Sequence, residues 1–212
     1  MNIVRTDAIN ASLVRRISAN RLARYLADSG NDLDAALTLY ERNTRLAETL
    51  YTPLQSLEIC LRNTMDGEMG RIYGHDWLTN RNAPLAQNAI RSINDAQTAF
   101  AHSRNLPTHG DLIAELKFSF WVGLLGPRYD ATIWRRALHR GFQVGNGRRR
   151  SDVHSRLNAL RRFRNRVAHH EPVYDRALSM HAEIIDTIGW MCSDTQQWTI
   201  HQCRFPAVYA AP

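Results

Sequence analysis

An arginine and a histidine close together in the C-terminal third of the chain could bind phosphate and transfer protons. Arg164 and His169 stand five residues apart in VHSRLNALRRFRNRVAHHEP, residues 153–172. A guanidinium is always charged and can contact two phosphate oxygens at once. An imidazole has an ordinary pKa of about 6.5, so it can act as an acid or a base near neutral pH. The two side chains together could therefore bind a phosphate and move a proton beside it.

Arg164 interrupts the apolar face of a predicted helix. Val153, Leu157, Leu160 and Val167 recur at helical spacing, and Arg164 falls between the last two. An arginine directed toward a core is unfavourable unless it meets a carboxylate, a phosphate or a water-filled cleft. A structural ion pair and a phosphate-binding role both satisfy this condition.

The histidines lie at the predicted end of this helix, because Pro172 disfavours helical geometry at Glu171. Five helical residues rotate His169 by about 140° from Arg164, so a loosened last turn is needed to bring the two together. His170 is the second candidate for the working histidine. Either histidine could instead interact only with the helix dipole.

A metal site is not predicted at His169, His170 and Glu171. Adjacent residues rarely ligate one ion together, and no H-x-x-x-H partner is nearby. We expect neither a metal nor another cofactor.

Two stretches of the sequence resemble one known family. RNRVAHHEP, residues 164–172, contains R-N-x-x-x-H and resembles the Rx4–6H motif of HEPN-domain ribonucleases, in particular their Abi-like (abortive infection) branch. LEICLRN at 57–63, followed by YGHDW at 73–77, resembles the LE-x-x-LRN…YG…W pattern of Abi-like proteins. The resemblance covers the chain from about Leu33 to Met191.

The resemblance implies an all-α, HEPN-like helical bundle with additional helices, and a metal-independent endoribonuclease. The ribose 2′-hydroxyl would be the nucleophile, Arg164 would stabilise the phosphorane and His169 would transfer a proton. Cleavage would leave 2′,3′-cyclic phosphate and 5′-hydroxyl ends. HEPN domains commonly form homodimers whose two motifs face each other, which would supply both an acid and a base. Many act as toxins or in phage defence, so we expect RNA as a partner and an antitoxin or a phage-derived trigger.

Further residues are expected to support this pair. Glu58 is a candidate to orient Arg164, and Arg62 stands four residues after Glu58, at the spacing of a helical ion pair. Asn165 could bind phosphate or fix the helix end. The expected supporting set also includes Asn63, His170 and Glu171.

Nearby arginines are the candidates for RNA contact. The glycine-rich, basic stretch GFQVGNGRRR, residues 141–150, predicts an exposed loop. The predicted RNA-binding residues are Arg148, Arg149, Arg150, Arg161 and Arg166. A solvated loop that contacts nothing is the alternative for the first three.

Two other functions stay open. A HEPN domain without catalysis would bind RNA or other proteins, although the intact Arg164 and His169 argue against it. The toxin of a HEPN–nucleotidyltransferase pair would resemble R-x4-H-x-Y, but Glu171 stands at the tyrosine position and Tyr174 comes three residues too late.

Helical periodicity dominates the rest of the chain and predicts an all-α fold of seven or eight helices with short connections. One amphipathic helix is predicted to end at Ser29–Gly30, a second to be capped by Asn31 or Asp32, and a third to begin at Thr52–Pro53. We predict a single domain over 1–212, with residues 1–30 as an N-terminal helical extension and 193–212 as an irregular C-terminal tail.

The length, cysteine number, net charge and hydropathy of the chain limit the class of protein to which it can belong. A chain of 212 residues can bury a hydrophobic core that needs no disulfides or metals to be stable. Cys60, Cys192 and Cys203 are too few and too scattered for a disulfide framework. The net charge of +7 favours a polyanionic partner such as RNA. The sequence starts with no apolar core of signal-peptide length and has no apolar stretch that could span a bilayer. We therefore expect a cytoplasmic protein without membrane contact.

Overall fold

The chain folds into helices joined by short turns. The computed structural model describes residues 5–101, 106–143 and 147–211, and no β-strand occurs in those ranges. The all-α prediction is thus confirmed. The helices are α1 (Asp7–Ile17), α2 (Ala19–Asp28), α3 (Leu33–Tyr73), α4 (Gln87–Ala99), α5 (His109–Glu115), α6 (Phe118–Gly123), α7 (Arg150–Ala168), α8 (Ala177–Gly189), α9 (Ser193–Gln202) and α10 (Phe205–Ala210). A 3₁₀ turn (Pro127–Tyr129), a π turn (Asp130–Trp134) and a second 3₁₀ turn (Leu138–Phe142) join α6 to the segment before α7.

The central element is α3, a helix of 41 residues. The Asp32 carboxylate caps it by accepting a hydrogen bond from the Ala35 amide at 3.0 Å, as the sequence predicted. It packs against α2, α6, α7, α8, α9 and α10, so its apolar residues contribute to the core along most of its length. Six of the nine other helices in the described ranges are therefore positioned directly against this one.

The predicted helix start at Thr52–Pro53 is wrong, because α3 runs through Pro53 without a break. A proline inside a helix removes one backbone hydrogen bond and costs about 3 kcal/mol. Here Pro53 is buried, and Leu50, Leu54 and Leu57 on either side of it are buried in the same core. Their packing outweighs the local preference for a new helix.

The N-terminal helix is also divided differently from the prediction. The chain turns at Ser18, whose φ of +84° lies in the left-handed region, and α1 and α2 form where one helix was expected. The Ser18 amide closes α1 by donating to the Val14 carbonyl, and its hydroxyl accepts from the Arg21 amide to open α2. The turn lets α2 bury Leu22 and Tyr25 against the start of α3.

The expectation of an irregular tail over 193–212 is wrong as well, since α9 and α10 occupy most of it. Phe205 is fully buried and stacks on the His181 ring of α8, with 4.4 Å between ring centroids. Pro206 falls in the first turn of α10, where its missing amide proton breaks no helical hydrogen bond. Burial of Phe205, together with the packing of α9 on α3 and α8, thus holds a segment whose local sequence is only weakly helical.

The helix that carries Arg164 begins and ends where the sequence indicated. α7 spans Arg150–Ala168, and its apolar residues Val153, Leu157 and Leu160 are fully buried. Packing of this face against α3, α6 and α8 fixes the rotation of the helix. The rotation in turn decides which of its polar residues reach a neighbouring groove.

The second stretch of the family resemblance also lies in the core. Trp77, from YGHDW, is fully buried, and its indole N–H donates to Asp66 Oδ1 at 2.7 Å. His109 Nε2 lies 2.8 Å from the same oxygen. These contacts join the end of α3 to α5 and give Trp77 a structural role.

None of the helices in the described ranges combines the length and the apolar character that crossing a bilayer requires.

We predict that His181 makes stability depend on pH. Burial lowers the pKa of His181 below its ordinary value of 6.5. Well above pH 6.5 the ring is neutral in both the folded and the unfolded chain, so it contributes no pH dependence. As the pH falls below 6.5, the unfolded chain binds a proton first and the free energy of unfolding decreases.

Urea unfolding at pH 7.5 and at pH 5.5 tests this. The loss of stability between the two pH values should be smaller in His181→Gln than in the wild type. His201→Gln, which removes an exposed histidine from α9, should keep the wild-type loss. An equal loss in wild type and His181→Gln would contradict the assignment.

Candidate active site

A groove of about 970 Å³ lies between α3 and the C-terminal end of α7. Glu58 and Arg62 line it from α3, and Arg164, Val167 and His170 line it from α7 and the turn that follows. The motif that carried the family resemblance therefore opens onto a cavity instead of packing wholly into the core.

Arg164 lies at this groove with part of its side chain in solvent. Its Nη2 is 3.6 Å from Glu58 Oε2, the partner that the sequence suggested, and its side chain is 43% exposed. At that distance and exposure the pair contributes at most about 1 kcal/mol. Glu58 thus limits where the guanidinium points, while most of its N–H groups stay available to a ligand.

The two histidines stand on a tight turn that ends α7. The His169 amide donates to the Asn165 carbonyl, the His170 amide to Val167, and the Glu171 amide to Arg166. His170 has φ +57°, the left-handed conformation usually taken by glycine at this position. The bonds from His170 and Glu171 are those of a Schellman motif, so the turn satisfies the last carbonyls of the helix.

The turn separates the two histidines. His170 is among the residues that line the groove, as is Arg164, whereas His169 is not, and both histidines are exposed. His169 follows Arg164 by five residues of near-helical backbone, and the resulting rotation carries it away from the groove. The left-handed residue that follows, His170, reverses the chain and returns it to the groove.

Residues far away in sequence hold this turn. Arg21 of α2 donates to the His170 carbonyl at 2.7 Å. Asn43 of α3 is buried, and its side-chain oxygen accepts from the Val173 amide at 2.7 Å and from the Tyr174 amide at 3.2 Å. Its side-chain nitrogen donates to the Glu171 carbonyl at 3.4 Å. One asparagine therefore fixes the chain directly after the histidines.

Sequence analysis missed Arg21 and Asn43. Asn43 had a usable signal, since it is a polar residue between the apolar positions Tyr40 and Leu46 of a helix. A buried asparagine must find hydrogen-bond partners, but its position along the chain does not identify them. Arg21 is one of many arginines and had no distinguishing signal.

Several expected supporting residues lie outside the groove. Asn63 is on another face of α3, and the Asn165 carbonyl caps the helix end. Arg62 does line the groove, but within the described residues it forms no ion pair with Glu58, contrary to the expectation. Glu58 pairs with Arg164 instead.

The arginines expected to contact RNA lie in different environments. Arg150 donates to Asp130 at 3.0 Å and to the Leu125 carbonyl at 2.8 Å, and Phe142 is fully buried. The stretch 141–150 is thus not the wholly exposed loop that we predicted, and its residues 144–146 lie outside the described ranges. Arg148 stacks over the Trp190 ring at 4.3 Å, while Arg149 is exposed.

The other two arginines of that set make local contacts. Arg161 donates to the Asn158 side chain at 3.0 and 3.1 Å. Arg166 pairs with Glu171 at 3.3 Å and donates to the Pro172 carbonyl. These contacts stabilise α7 and the turn after it, so the contacts that both arginines make in the structure are structural.

The described residues contain no cluster of three or more histidine, cysteine, aspartate or glutamate side chains that could hold a metal ion.

Comparison with known proteins gives no assignment: the chain matches no protein-family model, no curated protein and no solved structure. The resemblance to HEPN ribonucleases therefore stays a prediction that depends on the residues of the two stretches.

We predict that Asn43→Ala lowers the free energy of unfolding by about 2 kcal/mol. The substitution leaves the buried Val173 amide without an acceptor, and an unsatisfied buried donor costs about 1–3 kcal/mol. Thr44→Ala is the matched control, because Thr44 is exposed and its hydroxyl donates only to the Tyr40 carbonyl of the same helix. Urea unfolding of the three proteins measures the difference. Equal destabilisation by both variants would show that Asn43 does not hold the turn.

Proposed function

We propose that the chain is a metal-independent endoribonuclease of abortive-infection type with a HEPN-like bundle. It would cleave RNA by 2′-hydroxyl attack and leave 2′,3′-cyclic phosphate and 5′-hydroxyl ends. The observation that carries the proposal is that Arg164, only loosely paired, shares a groove with His170, while His169 stands next to His170 on the same turn but outside the groove. The proposed setting is the cytoplasm of a cell under phage attack, with an antitoxin or a phage-derived trigger controlling the enzyme.

Phosphate binding is assigned to Arg164. Two guanidinium groups, Arg62 and Arg164, and two carboxylates, Glu48 and Glu58, line the groove. A phosphate must therefore compete with Glu58 for Arg164. It can do so because the existing ion pair is long and partly solvated, whereas a guanidinium binds two phosphate oxygens in a matched geometry. The charge of Arg164 would then stabilise the phosphorane as it forms.

Proton transfer is assigned to His169, the residue at the R-N-x-x-x-H spacing. Its ring is exposed and lies outside the groove of its own chain. His170 is assigned to RNA contact within the groove. Because cleavage needs both an acid and a base, the proposal includes a homodimer in which a second copy supplies the other histidine.

The backbone at His170 supports a role for its side chain. A residue other than glycine in the left-handed conformation costs about 1 kcal/mol relative to glycine. Strained positions of this kind cluster at functional sites. The imidazole thus occupies a position where the fold alone would favour glycine.

We predict RNA cleavage in excess EDTA that depends on His169 and Arg164. Purified wild type should cut total cellular RNA, and His169→Ala and Arg164→Ala should each lower the rate by at least about 100-fold. Arg162→Ala removes an exposed arginine from the same helix and should keep the wild-type rate. End analysis should find cyclic phosphates.

Three outcomes would contradict this proposal in different ways. Equal cleavage by wild type and His169→Ala would exclude His169. Cleavage only with added metal would exclude the metal-independent mechanism. RNA binding without cleavage by any variant would favour the catalytically silent module.

We further predict that His170→Gly separates stability from activity. Glycine fits the left-handed backbone, so this variant should be up to about 1 kcal/mol more stable than His170→Ala. Cleavage should nevertheless fall by the same factor in both variants, because both lack the imidazole. Full activity in His170→Gly would show that His170 serves only the turn.

A further inference from the structure

A second cavity brings two of the three cysteines together. It measures about 780 Å³ and lies between α3 and α9. Cys60 lines it from α3, and Cys192 lines it from the position directly before α9. The two residues are far apart in the sequence, so only the packing of α9 on α3 makes them neighbours.

Cys192 caps the N-terminus of α9. Its sulfur accepts a hydrogen bond from the Thr195 amide at 3.4 Å, and the residue is partly exposed. Hydrogen bonds from the Thr195 side chain and then its amide lower the pKa of the Cys192 thiol. A thiol that accepts amide hydrogen bonds at the start of a helix is stabilised as the thiolate, which is the reactive form.

Cys60 has the opposite environment. Its side chain is 8% exposed, and burial raises the pKa of its thiol, although Thr64 and Thr195 act against this. Cys60 is therefore the protonated member of the pair. The Thr195 side chain lowers the pKa of both thiols, so it lies near each of them.

Cys203 is the natural comparison within the chain. Its sulfur lies 3.3 Å from His181 Nε2, and burial raises the pKa of its thiol. Cys203 does not line the cavity that holds Cys60 and Cys192. The chain thus offers one activated thiol, one buried thiol beside it and one thiol elsewhere.

We propose that Cys192 and Cys60 form a redox-active dithiol that hydrogen peroxide converts to a disulfide between α9 and α3. In the first step the Cys192 thiolate attacks peroxide, the O–O bond breaks, and a sulfenic acid and hydroxide form. The sulfur gives up two electrons and the peroxide is reduced. In the second step the Cys60 sulfur attacks the sulfenic sulfur, the S–O bond breaks, and the oxygen leaves as water with the proton from Cys60. Two thiols and one peroxide give one disulfide and two waters.

The test is peptide mapping of the native, full-length protein after limited hydrogen peroxide. Wild type should lose two hydrogen atoms in intact mass and yield one cross-linked peptide pair joining Cys60 to Cys192. Cys203→Ser should behave as wild type. Cys60→Ser should stop at a sulfenic acid on Cys192 that dimedone traps, and Cys192→Ser should form no disulfide.

A second measurement needs no variant. Iodoacetamide should alkylate Cys192 of the reduced wild type at least about threefold faster than Cys203 at pH 7, because the gain in thiolate outweighs the loss of nucleophilicity. In urea this difference should disappear. Equal rates in the native protein, a disulfide that includes Cys203, or no disulfide in wild type would each overturn the proposal.

Discussion

The continuity of α3 is the constraint on which the rest of the structure depends. Its 41 residues extend about 60 Å at 1.5 Å per residue, and six other helices pack against it. Asn43, Glu58 and Cys60 all belong to this helix, so its continuation past Pro53 sets their spacing. A break at Pro53 would uncouple the residue that fixes the histidine turn from the carboxylate that orients Arg164.

The candidate site depends on how a helix end is closed. α7 supplies Arg164 within the helix and the histidines just beyond its last turn. The left-handed backbone at His170 places this residue at the groove, whereas His169 lies outside it, and both are exposed. Arg21 and Asn43 then secure the turn through its carbonyl and amide groups. The chemistry and the stability of the site are thus assigned to different residues. Arg164 has only one long ion pair, whereas the backbone of the turn is fixed by hydrogen bonds from Arg21 and to Asn43.

The groove at Arg164 and the cavity lined by Cys60 and Cys192 are close neighbours. Thr52, Gln55 and Ile59 of α3 line both, so a single stretch of helix forms a wall of each. One cavity combines charged groups with an exposed imidazole, and the other combines two thiols with opposite environments. The difference arises because α7 covers one side of α3 and α9 the other, with different polar residues at each contact.

Local sequence patterns were enough to predict the all-α class and the end of α7. Each depends on a short stretch of sequence, which local physics resolves. These patterns did not determine that α3 continues through Pro53, that residues 193–210 are helical, or that the chain turns at Ser18. At those points burial of Leu54, Phe205 and Leu22 outweighs local propensity, and burial is known only once the elements are packed. The tertiary structure alone also decided that His170, and not His169, lines the groove, because one left-handed residue reverses the direction that helical spacing would give.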